Sequence, residues 1–181
     1  MAVTLISTAG DETANTYALL ADATAYIANH YVPAATLVLW NAASNDVKSK
    51  ALIQATMLLD RLVTWCGEVL SDSLQSLAWP RANAFDRYGR TIDSSVVPPI
   101  IQEYTIETAL WLVTNSGAIP VTGSSQFDSI KVDGLEINYA KGEGESSLNY
   151  LPSNVVSTLQ PMGNYTALVP NAARNVPLMR V

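Results

Sequence analysis

The chain has 181 residues, of which 49% are hydrophobic and only 14% charged, and its formal net charge is −6. This length suits one domain with appendages, and so low a charged fraction indicates a surface partly covered by other molecules, most often by copies of the same chain. Ten Lys and Arg residues without a basic run exclude the cationic face that double-strand DNA binding requires. An ordinary domain rich in Ala, Ser, Thr and Asn is the alternative that composition leaves open.

The first third of the chain predicts one helix between two extended stretches. Residues 1–18 are expected to be extended, with a short strand over residues 3–7. Apolar residues at helical spacing predict the first helix over residues 19–30, and Pro33 prevents its continuation. Residues 31–43 are predicted to be a connection that buries Trp40.

The second helix has the clearest pattern in the sequence. Ser44 or Asn45 can cap it by accepting a hydrogen bond from an unpaired backbone N–H. Gly67 is expected to end it. Its buried stripe consists of Val47, Ala51, Ala55, Leu58, Leu62 and Cys66, widened by Leu52, Leu59 and Val63.

Residues 68–97 are predicted to form a long loop, and loops of that length are usually functional or interfacial. Within it, residues 86–89 should turn sharply, with Gly89 at a positive φ. Pro98 and Pro99 open a third helix that stops at Gly117. Glu103 and Glu107 share one of its faces without a His or metal-ligand partner, which favours a solvated or subunit-facing stripe over a catalytic pair.

The last third changes character along its length. Asp-Gly between two alternating runs predicts a β-hairpin over residues 129–139, which closes a helical domain of residues 1–140. Residues 141–147 are typical of a flexible linker, and residues 148–181 are predicted to be an extended arm. The arm is apolar and rich in proline, and its only charged side chains are Arg174 and Arg180. Such a composition favours docking into a groove on another protein, with folding back onto its own domain as the alternative.

The sequence offers little chemistry for catalysis. Phosphate-binding, zinc-binding and nucleophile motifs are absent, and His30 is the sole histidine, at a predicted helix end. Cys66 is the only cysteine, so an internal disulfide is excluded. We therefore expect no enzymatic activity, no cofactor and no metal. The sequence also predicts a cytoplasmic chain without a signal peptide or membrane span.

Four stretches between residues 15 and 140 carry motifs that occur together in one family. They are NTY with ADATAY (15–26), ALIQAT with LD and Trp65 (51–65), LAWPR with Arg87 and Gly89 (77–89), and SIKVDGLEINYA (129–140). Together they resemble the small head–tail connector, or adaptor, proteins of tailed bacteriophages. Similar sequences are also labelled DnaT-like.

The resemblance implies a mainly α fold, a small bundle of about three main helices with a β-hairpin and an extended C-terminal arm. It also implies a structural virion protein of the neck, found in the host cytoplasm during assembly. Copies would form a dodecameric ring beneath the portal protein, joined below to tail or tail-completion proteins, with DNA passing through the lumen without specific binding. The expected subunit contacts are Trp79, Arg81, Arg87, Tyr88, Glu103 and Glu107.

The resemblance implies that the arm inserts into clefts of the portal. The residues that would make these contacts are chosen from the composition of the arm. The portal-binding candidates are Tyr165, Leu168, Val169, Arg174, Val176, Leu178, Met179 and Arg180. The alternative function is a replication accessory that binds single-stranded DNA. Against it, the four tryptophans do not interleave with Arg or Lys as a base-stacking platform requires.

Overall fold

A computed structural model describes residues 3–32, 35–70, 74–115 and 151–165, together with the backbone of two strands between residues 129 and 138. The described helices are α1 (Leu20–His30), α2 (Ala35–Ala42), α3 (Asn45–Leu62), α4 (Pro99–Thr114) and α5 (Ser153–Thr158). The described strands are β1 (Val63–Trp65), β2 (Glu68–Val69), β3 (Arg81–Ala82), β4 (Ser129–Val132), β5 (Leu135–Asn138) and β6 (Gly163–Tyr165). The predicted mainly α fold class is confirmed.

Helices α3 and α4 form the centre of the molecule, and both begin as predicted. The Ser44 hydroxyl accepts a hydrogen bond from the Val47 N–H at 3.3 Å, which caps α3. Pro99 occupies the first turn of α4, where its missing donor is not needed. The two helices bury Leu52, Leu59 and Ile101 completely.

The core divides into two clusters along α4. The cluster at its N-terminal end contains Ile101 and Tyr104, with Trp79 from the long loop. The cluster at its C-terminal end contains Leu110 and Leu112, with Trp40 and residues of α1. One helix therefore supports two differently composed ends of the molecule.

The prediction for residues 31–43 was partly wrong, because α2 occupies most of this connection. Trp40 is buried as expected, at 1% exposure. The indole drives this short helix against α4, whereas Val38 and Leu39 remain 65% and 51% exposed. No strand forms over residues 3–7, where the Asn15 side chain accepts from the Ile6 N–H at 2.9 Å and holds the chain extended.

The second helix ends earlier than predicted, at Leu62 rather than near Gly67. Val63, Thr64 and Trp65 instead form β1, which pairs antiparallel with β6. β-branched and aromatic residues suit a strand, and the partner comes from about a hundred residues further along the chain. Gly67 adopts φ +71° in the turn that follows, where a Cβ would collide with the Ala82 carbonyl.

The segment after residue 150 belongs to the folded body up to Tyr165, although an arm was predicted to begin at residue 148. Leu151, Val155 and Leu159 are buried against α4, and β6 closes the sheet with β1. The predicted hairpin has its two strands, β4 and β5, paired antiparallel. Its Asp-Gly turn and the predicted linker at residues 141–147 lie outside the described residues. Among the described helices, none combines the length and the apolar character needed to cross a bilayer.

Candidate interaction surface

The Trp79-Pro80-Arg81 segment is anchored by a half-buried carboxylate. Asp60, near the end of α3, accepts the Tyr17 hydroxyl at 2.7 and 2.9 Å and the Ala78 N–H at 3.0 Å. The Trp65 indole N–H donates to the same carboxylate at 3.3 Å. The Tyr17 oxygen accepts in turn from the Trp79 N–H at 3.1 Å. These groups, here called the Asp60 cluster, fix the start of the long loop to α3.

Burial dominates the electrostatics of the Asp60 cluster. Loss of hydration raises the pKa of Asp60, and the hydrogen bond from Tyr17 opposes that rise. Burial, together with the nearby Asp60 charge, also raises the pKa of Tyr17. Tyr17 is only 1% exposed, whereas Asp60 is partly exposed. The arrangement stabilises the fold by holding the loop against α3.

Two of the predicted subunit-contact residues are used inside the chain. Trp79 is 1% exposed and packs edge-on against Trp65, with ring centroids 5.9 Å apart. The Arg81 guanidinium donates to the carbonyls of Cys66 at 2.7 Å and Gly67 at 2.8 Å. Both residues therefore have strong intramolecular roles, and their part in a subunit contact stays a prediction.

The turn at residues 85–91, here called the Asp86 turn, is exposed and held together by several hydrogen bonds. The Asp86 carboxylate accepts the Tyr88 N–H at 2.8 Å and the Arg90 N–H at 2.9 Å. It also binds the Arg90 guanidinium through Nε and Nη2, each at 2.7 Å. The backbone bond from Arg90 is the main reason that the pKa of Asp86 lies below its ordinary value. Gly89 adopts φ +75°, as the sequence predicted.

The Asp86 turn presents an aromatic ring between two cations. Tyr88 is 73% exposed, and the guanidinium carbons of Arg90 and Arg87 lie 5.1 and 5.9 Å from its ring centroid. Phe85 on the same turn is 49% exposed. Exposed Tyr and Arg on a preorganised support are typical of binding hot spots. Arg87 and Tyr88 were predicted as contact residues, whereas Phe85 and Arg90 were not, although the Asp-to-Arg spacing of four residues signalled their turn.

A groove with a volume of about 550 Å³ adjoins the turn, bounded by the start of α4 and by residues 158–162. Ile92, Val96 and Met162 contribute apolar lining, and Asp93 and Glu103 contribute carboxylates. We call this feature the α4 groove. Within the described residues, Glu103 makes no ion pair or hydrogen bond. Glu103 is thus a predicted contact residue with a carboxylate available to a ligand.

Glu107, the other glutamate of the predicted stripe, lies in an internal junction. It accepts the Tyr26 hydroxyl at 3.1 Å and the Asn154 side-chain N–H at 2.7 Å, which joins α1 and α5 to α4. Burial is the main cause of its raised pKa. His30 stacks on Tyr26 at a centroid distance of 4.2 Å. In the described part of the chain, no three His, Cys, Asp or Glu side chains are grouped to hold a metal ion.

The predicted portal-binding residues fall almost wholly beyond the described chain. Tyr165 pairs with Val63 across β1 and β6 and is partly buried. The others lie outside the described residues, namely Leu168, Val169, Arg174, Val176, Leu178, Met179 and Arg180.

Comparison with known families gives a match that spans most of the chain. The model of a family described as "Putative DnaT-like ssDNA binding protein" matches residues 1–175. No curated protein and no solved structure matches the chain.

Proposed function

The chain belongs to this DnaT-like family, and within it we propose that the protein is a head–tail adaptor, a structural protein of the virion neck. It would form a ring under the portal, join the capsid to the tail and continue the DNA channel. The observation that carries the proposal is the exposure of large apolar side chains. Val38 and Leu39 stand next to each other on α2 and are 65% and 51% exposed, and apolar side chains grouped on a surface are typical of contacts with other proteins.

The position of these side chains supports a ring rather than a symmetric pair. Val38 and Leu39 lie on α2, whose Trp40 packs with the C-terminal half of α4. Tyr88 and Val96 lie beside the groove at the other end of α4. A helix of this length spans about 24 Å, so the two exposed groups are well separated. Contact between unlike surfaces of successive copies generates a closed ring where the rotation between copies closes, which the proposal assumes.

The charge distribution supports a channel that DNA passes without being held. Each chain carries a formal charge of −6, so a ring would repel the phosphate backbone. Of the described cations, Arg90 forms an ion pair with Asp86 and Lys50 with Asp46, and Arg81 donates hydrogen bonds to backbone carbonyls. Among the cations whose side chains the structure describes, Lys48, Arg61 and Arg87 are left to bind phosphate.

The C-terminal arm completes the proposal as the anchor on the portal. Beyond Glu145 the sequence has no acidic side chain, and Arg174 and Arg180 stand among apolar residues. Apolar side chains could fill portal pockets while the two guanidinium groups pair with carboxylates there. Tail or tail-completion proteins would bind the opposite face of the ring.

Assembly with the portal protein of the same phage tests the ring. Val38→Asp combined with Leu39→Asp should reduce the number of copies bound per portal, measured by native mass spectrometry, because charge would enter an apolar contact. Asn41→Asp is the matched control, since it adds a carboxylate to the exposed side of the same helix. If the unmodified protein, the double variant and Asn41→Asp bind the portal equally, α2 is not part of the interface. If the unmodified protein does not bind the portal, the adaptor proposal is rejected.

Single-stranded DNA binding is the second candidate, and the family description supports it more directly than it supports the adaptor. The structural observation in its favour is Tyr88, 73% exposed between Arg87 and Arg90, since an aromatic flanked by guanidinium groups can stack a nucleobase. The neighbouring Asp86 and Asp93 and the net charge of −6 oppose it.

Fluorescence anisotropy with a labelled oligothymidine separates the two candidates. The adaptor proposal expects no measurable binding near physiological salt. Micromolar, salt-sensitive affinity that falls about tenfold or more in Tyr88→Ala, and not in Lys48→Ala, would favour the replication accessory instead.

A further inference from the structure

We propose that in the free protein the C-terminal segment, residues 166–181, docks into the α4 groove of its own chain. The segment would leave the groove when it binds the portal. The inference deepens the proposed function, because it rests on this segment being the portal anchor. It assigns an occupant to the groove and a resting site to the arm.

The groove lies where the segment begins. Gln160, Pro161 and Met162 line it, and the chain continues through β6 to Tyr165. At about 3.3 Å per strand residue, Tyr165 lies roughly 10 Å from Met162. The remaining residues 166–181 can span up to about 50 Å when extended, so a return to the groove is within reach.

The apolar lining of the groove matches the composition of the segment. Ile92, Val96 and Met162 line it, and Val96 is 46% exposed with no cover from the described chain. The segment ends in Val176, Pro177, Leu178, Met179, Arg180 and Val181. Proline prevents a regular helix but suits an extended chain that fills successive pockets. Covering both surfaces removes apolar area from water.

Charge complementarity supports the same occupant. Asp86, Asp93 and Glu103 line the groove, against Arg87 and Arg90. Asp86 is neutralised by Arg90, whereas Glu103 has no cationic partner among the described residues. The segment offers Arg174 and Arg180 and no acidic side chain. A guanidinium beside Glu103 would provide the missing counter-charge.

Connectivity favours the chain's own segment over that of a second copy. A short tether gives an effective concentration in the millimolar range, far above ordinary protein concentrations. Portal pockets must then compete with the groove, so the arm would be covered until the portal is met. The proposal therefore predicts a concentration-independent contact in the free protein.

Amide hydrogen exchange on the full-length protein tests the docking. Residues 168–180 should exchange at least about tenfold more slowly than the same sequence as a free peptide, equally at low and high protein concentration. Glu103→Lys should abolish most of that protection, and adding Arg174→Glu and Arg180→Glu should restore it. Glu68→Lys is the matched control, since it makes the same charge change on the exposed strand β2.

Each outcome decides the proposal. Unprotected exchange of the segment in the unmodified protein overturns it, as does protection that survives Glu103→Lys. Protection that grows with protein concentration assigns the groove to a second copy and overturns docking within one chain. If the segment is protected but the protein never binds portal, the docking stands and the adaptor function fails.

Discussion

Two aspartates organise this molecule in opposite ways. Asp60 collects donors from Tyr17, Ala78 and Trp65 at a half-buried position beside the core, and loss of hydration raises its pKa. Asp86 collects donors from Tyr88 and Arg90 on an exposed turn, and those bonds lower its pKa. An aspartate thus holds a loop in both places. The ionised form is disfavoured at Asp60, which has lost hydration, and favoured at Asp86, which is exposed and accepts several hydrogen bonds.

The Asp60 cluster stabilises the fold, whereas the Asp86 turn is available to bind a partner. The Asp60 cluster presents almost nothing to a partner, because Tyr17 and Trp79 are each 1% exposed. The Asp86 turn presents Tyr88 and Phe85 at 73% and 49% exposure on an equally well-bonded backbone. Substitutions in the first region should therefore act on stability, and those in the second on binding.

Asp60→Ala should have the largest effect on stability. It leaves the Tyr17 hydroxyl and the Ala78 and Trp65 N–H groups without their acceptor. Leaving buried donors unsatisfied should lower the free energy of unfolding by about 3 kcal/mol, measured by urea denaturation. Asp60→Asn keeps one acceptor oxygen and should lose less. A loss below about 1 kcal/mol for the alanine variant would contradict the central role of Asp60.

Tyr17→Phe should have the next largest effect. It removes the hydroxyl that donates to Asp60 and accepts from the Trp79 N–H, without changing the packed ring. We expect a loss of about 1–2 kcal/mol in the same measurement. Tyr88→Phe is the control for loss of a tyrosine hydroxyl at an exposed site. Equal losses in both variants would remove the distinction between the two regions.

The pH dependence of stability should have opposite signs at the two aspartates. Because the folded pKa of Asp60 is raised, the folded chain holds an extra proton between the unfolded value of about 3.9 and the raised value. Wild-type stability supplied by this group therefore falls as pH rises through that window, and Asp60→Asn should gain relative to wild type. Asp86, with a lowered pKa, supplies stability above the unfolded value that is lost as pH falls.

Urea titrations of Asp60→Asn and Asp86→Asn from pH 2 to 7 measure both slopes against wild type. Stability differences that change with pH in the same direction for the two variants would contradict the assignment of burial to one and hydrogen bonding to the other.

The sequence predicted the parts of the fold that local pattern controls. Helix α4 begins at Pro99 as the two prolines indicate, and Ser44 caps α3. The sequence pattern gave the wrong secondary structure where contacts with residues distant in sequence decide the conformation. Val63 to Trp65 continue a helical stripe in sequence, but β6 captures them as a strand. Trp40 was expected to be buried, yet its packing against α4 turned a predicted connection into α2.

The candidate surface was only partly predictable for a related reason. Arg87 and Tyr88 stand in a recognisable turn, so their exposure could be expected. Asp60 belongs to the LD motif of the family resemblance, but its anchoring role gave no signal, because one carboxylate beside a buried stripe resembles an ordinary helix flank. Glu103 and Glu107 are four residues apart and look alike in the sequence. Tyr26 and Asn154, which are distant in sequence, donate hydrogen bonds to Glu107, whereas the Glu103 carboxylate stays available to a ligand.

Tyr88→Ala should have the smallest effect on stability. The ring is largely exposed, so the free energy of unfolding should change by less than about 0.5 kcal/mol. Assembly on the portal, in contrast, should weaken measurably if the turn lies in an interface, because exposed Tyr flanked by Arg is typical of hot spots. A large stability loss with intact assembly would reverse the roles assigned to the two regions.

A reconstruction of the particle neck tests the adaptor proposal most directly. We predict a closed ring of this chain beneath the portal, with the Asp86 turn or α2 at subunit contacts and the C-terminal arm in portal clefts. A neck without this chain, or with a single copy of it, would contradict the proposal.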